Sequence, residues 1–367
     1  MKDQICQQID QLSSQMIADI KSIVQIDSVE SVPQTDAPFG LGVKKALDET
    51  LKICQKLGFQ TKNIDNYIGY AQWGEGDDYI GVIGHLDVVA AGEGWKYPPF
   101  SAHEDQGYIY GRGILDNKGP ILAALYAAYT LKQLGVKINR PIRIIFGCDE
   151  ETGFEDLKYY LEREKPPVMG FTPDCKFPVV YGERGRIVFE IRTTDVVAFY
   201  DMVNTYFLNK KNNGETLGLD FKDEEFGMSE IRNFSLRYQD GEHIFSFALS
   251  YPAGMDIEVA KCQIAEKTKM KVTVASHFLP VKFEKDCFMV RQMQKAYQEM
   301  TGWDGTPVTT TGGTYAKLMP HIVPFGPSFP GQKGIGHLPN EWMKIDDLIA
   351  NAKIYALALY YLTKGEE

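Results

Sequence analysis

Apolar residues recur at helical spacing from the start of the chain. Ile5, Ile9, Leu12, Met16, Ile17 and Ile20 fall on one face of a helix predicted over residues 4–24. A second helix is predicted over 42–57, closed by Gly58. The spacing then shortens to that of strands, over 67–73 and 79–84. A helix rich in Ala and Leu follows over 119–134, stopped at Gly135. Residues 142–147 are mostly apolar, the mark of a strand buried on both faces. Strands alternating with helices predict a parallel or mixed α/β sheet.

The pattern changes after Gly182. A strand over 186–192 places Ile187, Phe189 and Ile191 on one face, and a helix follows over 195–208. Strands over 234–239 and 243–251 flank the turn Asp240-Gly241. A helix over 257–267 and a strand over 271–276 complete a βαββαβ run. This run predicts a small α+β domain inserted in the larger one. Helices over 288–300 and 345–362 return to the first domain. The expected division is a discontinuous domain of 1–183 and 286–367 with an insert of 184–285.

Composition narrows the function. Of 367 residues, 44% are apolar and 12% aromatic, which excludes disorder as the main state. Lys and Arg number 39 against 49 Asp and Glu, a net charge of −10 without a basic cluster, so nucleic acid is not expected as a partner. The six cysteines, Cys6, Cys54, Cys148, Cys175, Cys262 and Cys287, form no C-x-x-C pair. The first twenty residues do not read as a secretory leader, and no apolar run approaches a membrane span. A reduced, cytoplasmic protein is the expectation.

The chemistry sits in five short segments, most of them following a predicted strand. They are Gly84-His85-Leu86-Asp87, Leu115-Asp116-Asn117-Lys118-Gly119, Cys148-Asp149-Glu150-Glu151-Thr152-Gly153, Thr172-Pro173-Asp174, and Gly336-His337 in a Gly/Pro-rich loop. Ligands of open α/β sheets bind at the carboxyl ends of strands, so these acids and histidines have a reason to converge. Imidazole with carboxylate suits Zn²⁺, or Mn²⁺ or Co²⁺. His85 and Asp87 share a face of an extended strand, so Asp87 is expected to orient His85. Glu150 and Glu151 point apart on an extended backbone, leaving one for metal and the other for base. Taken singly, each segment has a plainer reading as a turn, a helix cap or charge compensation at a helix start. Their joint occurrence, in this order, is what singles them out.

These segments resemble the dinuclear zinc peptidase superfamily of acetylornithine deacetylase, succinyl-diaminopimelate desuccinylase, aminoacylase and carboxypeptidase G. Within it they are most similar to the Xaa-His dipeptidase branch. Further matching stretches are Trp95, Pro98-Pro99-Phe100, Tyr110-Gly111-Arg112-Gly113, Phe177-Pro178, Gly313-Thr314-Tyr315-Ala316, Phe329-Pro330-Gly331 and Asn340-Glu341. The resemblance implies a zinc-exopeptidase-like mixed sheet flanked by helices, with an inserted ferredoxin-like lid. It implies two divalent cations, zinc first, with manganese or cobalt as alternatives. His85 and Asp174 would hold one cation, Glu151 and His337 the other, and Asp116 would bridge them. Asp87 would support His85, Glu150 would be the general base, and Gly313-Thr314 would lie near the substrate carboxylate. It also implies a cis peptide at Asp116-Asn117. The substrate class is a small peptide or an N-acyl amino acid.

The sequence departs from that family in the insert. The lid histidine of the Gly-x-x-Ala-His motif is absent, and Ser250 stands where the dipeptidase branch has an arginine before Tyr251-Pro252. Loss of an oxyanion donor costs on the order of 10²–10³ in turnover. Another residue substitutes, a second subunit supplies the donor, or the chain is a metal-binding relative with weak or no catalysis. A deacylase of a non-peptide amide is the alternative enzyme. His243, His277 and His321 are the remaining histidine candidates, and Arg184 and Arg186 those for an acidic substrate group. Cys148 and Cys175 flank the acids and read as buried strand cysteines. Small-lid relatives imply a homodimer through the lid's edge strand and helices.

Overall fold

The apolar run Ile142–Gly147 lies inside a six-stranded mixed sheet, buried along its whole length, as is its parallel neighbour Ile80–His85. The order across the sheet is Gln60–Ile64, Ile68–Trp73, Ile142–Gly147, Ile80–His85, Met169–Thr172 and Ile322–Pro324. The first three run antiparallel to one another and the last four parallel. This computed structural model describes residues 1–365.

Helices cover the sheet. Lys118–Gln133 is buried on almost every side, which explains its Ala- and Leu-rich sequence. Lys2–Val24 instead buries one stripe containing Ile5, Ile9, Met16 and Ile20. Each such side chain contributes roughly 1.5–3 kcal/mol. No helix of the described residues is long and apolar enough to cross a membrane, and all six cysteines are free thiols.

Two glycines near the ends of central strands allow close approach. A Cβ on Gly84 would stand 2.2 Å from Asn117 Oδ1, and one on Gly147 would stand 1.9 Å from the Tyr315 hydroxyl. Both positions therefore require glycine for steric reasons.

The chain divides into two compact units. The first holds Met1–Val180, Glu284–Pro307 and the chain from Thr314 onward; the second holds Tyr181–Phe283 and Val308–Gly313. The strand Val308–Thr310 joins the second unit in a three-stranded sheet with Val180–Glu183 and Val281–Lys282.

The second unit is built on an antiparallel sheet ordered Glu230–Gln239, Glu242–Tyr251, Gly185–Thr193 and Lys271–Phe278. One face packs Ile187, Phe189, Ile191, Phe247 and Leu249 into a core with Phe199 and Ile264 of its two helices. Those helices, Val196–Tyr206 and Ile257–Thr268, are capped by Asp195 and Asp256, each accepting two backbone N–H bonds. The edge strand begins at Glu230, four residues before the expected 234. A register shift between Arg232 and Ser235 interrupts its two-residue alternation, which hides its start from the sequence pattern.

Candidate metal centre

The parallel strands present their carboxyl ends together, and the expected residues follow from them. His85 ends Ile80–His85. Glu150 and Glu151 follow Ile142–Gly147, and Asp174 comes two residues after Met169–Thr172. Asp116 precedes the helix Lys118–Gln133, and the Asp116–Asn117 peptide is cis. His337 reaches the cluster from a loop, at φ 62°.

Among the described residues, two groups of three candidate donors form. His85, Asp116 and Asp174 make one; Asp116, Glu151 and His337 make the other, and within each group the ligating atoms lie within 4.8 Å of one another. Asp116 belongs to both. Its Oδ1 lies 3.0 Å from His85 Nε2 and its Oδ2 3.0 Å from His337 Nε2. His337 Nε2 is also 3.0 Å from Glu151 Oε1, and His85 Nε2 is 3.8 Å from Asp174 Oδ2. Imidazole and carboxylate donors, one carboxylate shared, fit a pair of divalent cations.

The surroundings fix these donors. His85 Nδ1 donates to the Asp87 backbone carbonyl at 2.9 Å, which leaves Nε2 facing Asp116 as the nitrogen available to a metal. The Asp87 carboxylate lies farther from His85, at 3.5 Å. It accepts instead from the Glu151 backbone N–H at 3.0 Å. Asp87 thus orients His85 through its carbonyl rather than the expected carboxylate, and its side chain pins Glu151. Asn117 Nδ2 donates to the Pro173 carbonyl and to Asp174 Oδ1. Glu150 and Glu151 stand in a turn, not on the extended backbone the sequence suggested, because Asp149 and Asp156 fold the segment back.

Crowded acids perturb one another. Burial, with the charges of Asp174, Glu151 and Asp116, pushes the Glu150 carboxyl well above its usual range. Burial and Asp116 do the same to Asp174. Burial acts upward on Asp116 too, but hydrogen bonds from His337 and His85 outweigh it and hold the group low. Hydrogen bonds to Asp116 and Glu151 raise His337 to about 10.

Several positioning groups escaped the sequence reading. Glu341 is fully buried and accepts from the backbone N–H groups of Gly113, Leu115 and Asp116 while paired with buried Arg112. Asp156 accepts from Cys148 N, Asp149 N and the Tyr315 hydroxyl. Asn340-Glu341 and Tyr315 stood in the matching motifs, but nothing in spacing revealed what they hold.

The other expected residues have contacts of their own. Thr314 is buried and its hydroxyl oxygen caps the short turn Tyr315–Lys317, while Gly313 is exposed. His321 Nδ1 meets the Pro167 carbonyl at 2.9 Å. His277 Nε2 meets the Tyr251 hydroxyl at 2.6 Å. His243 rests on Phe199 and Tyr238, and His103 stacks on Tyr97. Cys148 is buried, which pushes its thiol well up and keeps it protonated.

Comparison with known proteins gives the family and the fold. The model of peptidase family M20/M25/M40 matches residues 81–361. The chain is 28% identical to the Beta-Ala-Xaa dipeptidase of Lactobacillus delbrueckii subsp. lactis, over 96% of this chain and 97% of that one. That alignment runs to 459 positions against 367 residues here, so the relative carries stretches this chain lacks. Human carnosine dipeptidase 1 has a similar fold, with a TM-score of 0.79 at 16% identity over 99% of both chains. So does the di-peptidase Dug1p of Saccharomyces cerevisiae, with a TM-score of 0.77 at 15% identity over 100% of this chain and 99% of that one. With the family match spanning most of the chain, this protein belongs to peptidase family M20/M25/M40 and is a metallopeptidase-type hydrolase.

Proposed function

We propose that this hydrolase cleaves the amide bond of dipeptides at a pair of divalent cations, zinc in the first instance. The observation that carries the reading is the pair of three-donor groups sharing Asp116, with Glu150 beside them and in neither group. In this reading His85 and Asp174 hold one cation, Glu151 and His337 the other, and Asp116 bridges. Bound there, the cations supply a nucleophile at neutral pH and polarise the scissile carbonyl.

The chain's own groups do the rest. Glu150 takes a proton from the attacking water and gives it to the leaving amine. Asp87 keeps His85 and Glu151 in register, and Glu341 holds the backbone of Asp116. The dipeptide preference rests on similarity to dipeptidases; cleavage of an N-acyl amino acid is the competing reading. Arg184 is bound to the Phe226 carbonyl, whereas Arg186 makes no side-chain hydrogen bond or ion pair among the described residues.

A homodimer through the lid is part of the proposal. The edge strand Glu230–Gln239 exposes Phe234, Leu236 and Tyr238, apolar surface suited to a second copy. Leu236→Glu should shift sedimentation from dimer to monomer.

Turnover of a dipeptide panel and an N-acetyl amino acid, with zinc, manganese or cobalt added, tests the reading. Dipeptide hydrolysis supports it; cleavage of the N-acetyl substrate alone contradicts it. Glu150→Gln should retain metal and lose about 10²–10⁴ in kcat. Equal activity in that variant discards Glu150 as the base.

A further inference from the structure

A cavity of about 490 Å³ opens in the first unit against Asp87 and Glu151. Its walls come from two segments tied together. Ser28 Oγ donates to the Leu86 carbonyl at 2.6 Å, Val88 N donates to the Ser28 carbonyl, and Val29 bridges Val88. The cavity is therefore fixed to the chain that follows His85. Its volume falls in the range of small-molecule sites.

The lining has two chemistries. Val29, Val32, Pro33, Val88 and Ala90 form an apolar wall, and Val32 is 79% exposed. Covering such a side chain releases water and favours an aliphatic occupant. Glu30, Asp87 and Glu151 supply carboxylates, and no lysine or arginine lines the cavity. Asp87 is engaged by the Glu151 backbone, and Glu151 faces His337. Glu30 is held by the Thr152 hydroxyl through one oxygen, and its other oxygen has no partner among the described residues. This set repels a carboxylate and attracts an ammonium.

We infer that this cavity is the subsite for the amino-terminal residue of the substrate, resting on the dipeptidase reading above. The aliphatic side chain lies against Val29, Val32, Val88 and Ala90, and Glu30 receives the free ammonium group. The substrate class is then a dipeptide with an unblocked amino terminus and an aliphatic first residue.

The test compares Leu-Gly, Gly-Gly and the Leu-Gly analogue bearing a hydroxyl in place of its amino group. The wild-type enzyme should prefer Leu-Gly over Gly-Gly by about tenfold or more. Ala90→Phe, which narrows the cavity, should cut that ratio about tenfold, a change that general damage to the fold does not produce. Glu30→Gln should cut the preference for the ammonium over the hydroxyl substrate about tenfold, through KM more than kcat. Equilibrium binding of free leucine, the amino-terminal product, should weaken about tenfold in both variants. Unchanged ratios and leucine affinity in active variants overturn this subsite alone. A wild-type enzyme inert on both dipeptides overturns the dipeptidase reading along with it.

Discussion

The two units treat buried charge in opposite ways. On the four-stranded sheet of the second unit, Glu190 is met by Arg192 and Arg237, so its carboxylate is neutralised within the unit. Those cations hold Glu190 low in spite of burial. In the first unit, Asp116, Glu150, Glu151 and Asp174 converge without one lysine or arginine ion pair among the described residues. Only His85 and His337 stand among them. Acids left unpaired by the chain's own cations, yet organised by second contacts, mark a place where positive charge is to be supplied by a ligand. The second unit's charges stabilise that unit itself; those of the first are arranged as a candidate metal centre.

Breaking the supports should expose that difference. The largest stability effect is expected at Glu341. Glu341→Gln removes the counter-charge of buried Arg112 and should cost about 3–5 kcal/mol, read from denaturant unfolding. A smaller effect is expected from pH. Burial raises the Asp156 carboxyl to about 7. A carboxyl whose folded pKa lies above its unfolded value adds stability below the unfolded value and loses it as pH rises through the folded one. Wild-type stability should therefore fall between pH 5 and 8, relative to Asp156→Asn, by on the order of 2 kcal/mol. An identical pH profile in the variant would remove Asp156 as the cause. The smallest effect belongs to the second unit. Glu190→Gln should cost less than about 1 kcal/mol, because its arginines are partly solvated, and should leave turnover unchanged.

Much of this was legible in the chain. The helices showed their period, and strands such as Ile142–Gly147 showed unbroken apolar runs because both of their faces are covered. The clustered acids and histidines were legible because metal chemistry restricts residue type and because His85, Glu151 and Asp174 follow strand ends, whereas His337 comes from a loop. Short strands such as Met169–Thr172 and Ile322–Pro324 were not, since three or four residues carry no visible period. Nor were the roles of Glu341, Arg112 and Asp156. Their function arises from burial against backbone N–H groups, as when Glu341 meets Asp116 across 225 positions of sequence. Asp87 shows the same limit: its spacing from His85 was read, but its side chain serves Glu151.

Zinc titration of the metal-free chain, with bound metal counted by elemental analysis, tests the shared-carboxylate centre most directly. The account predicts two ions per wild-type chain and loss of tight binding at both positions in Asp116→Ala, with the variant still folded by circular dichroism. A single ion per wild-type chain, or two ions retained by Asp116→Ala, would contradict it.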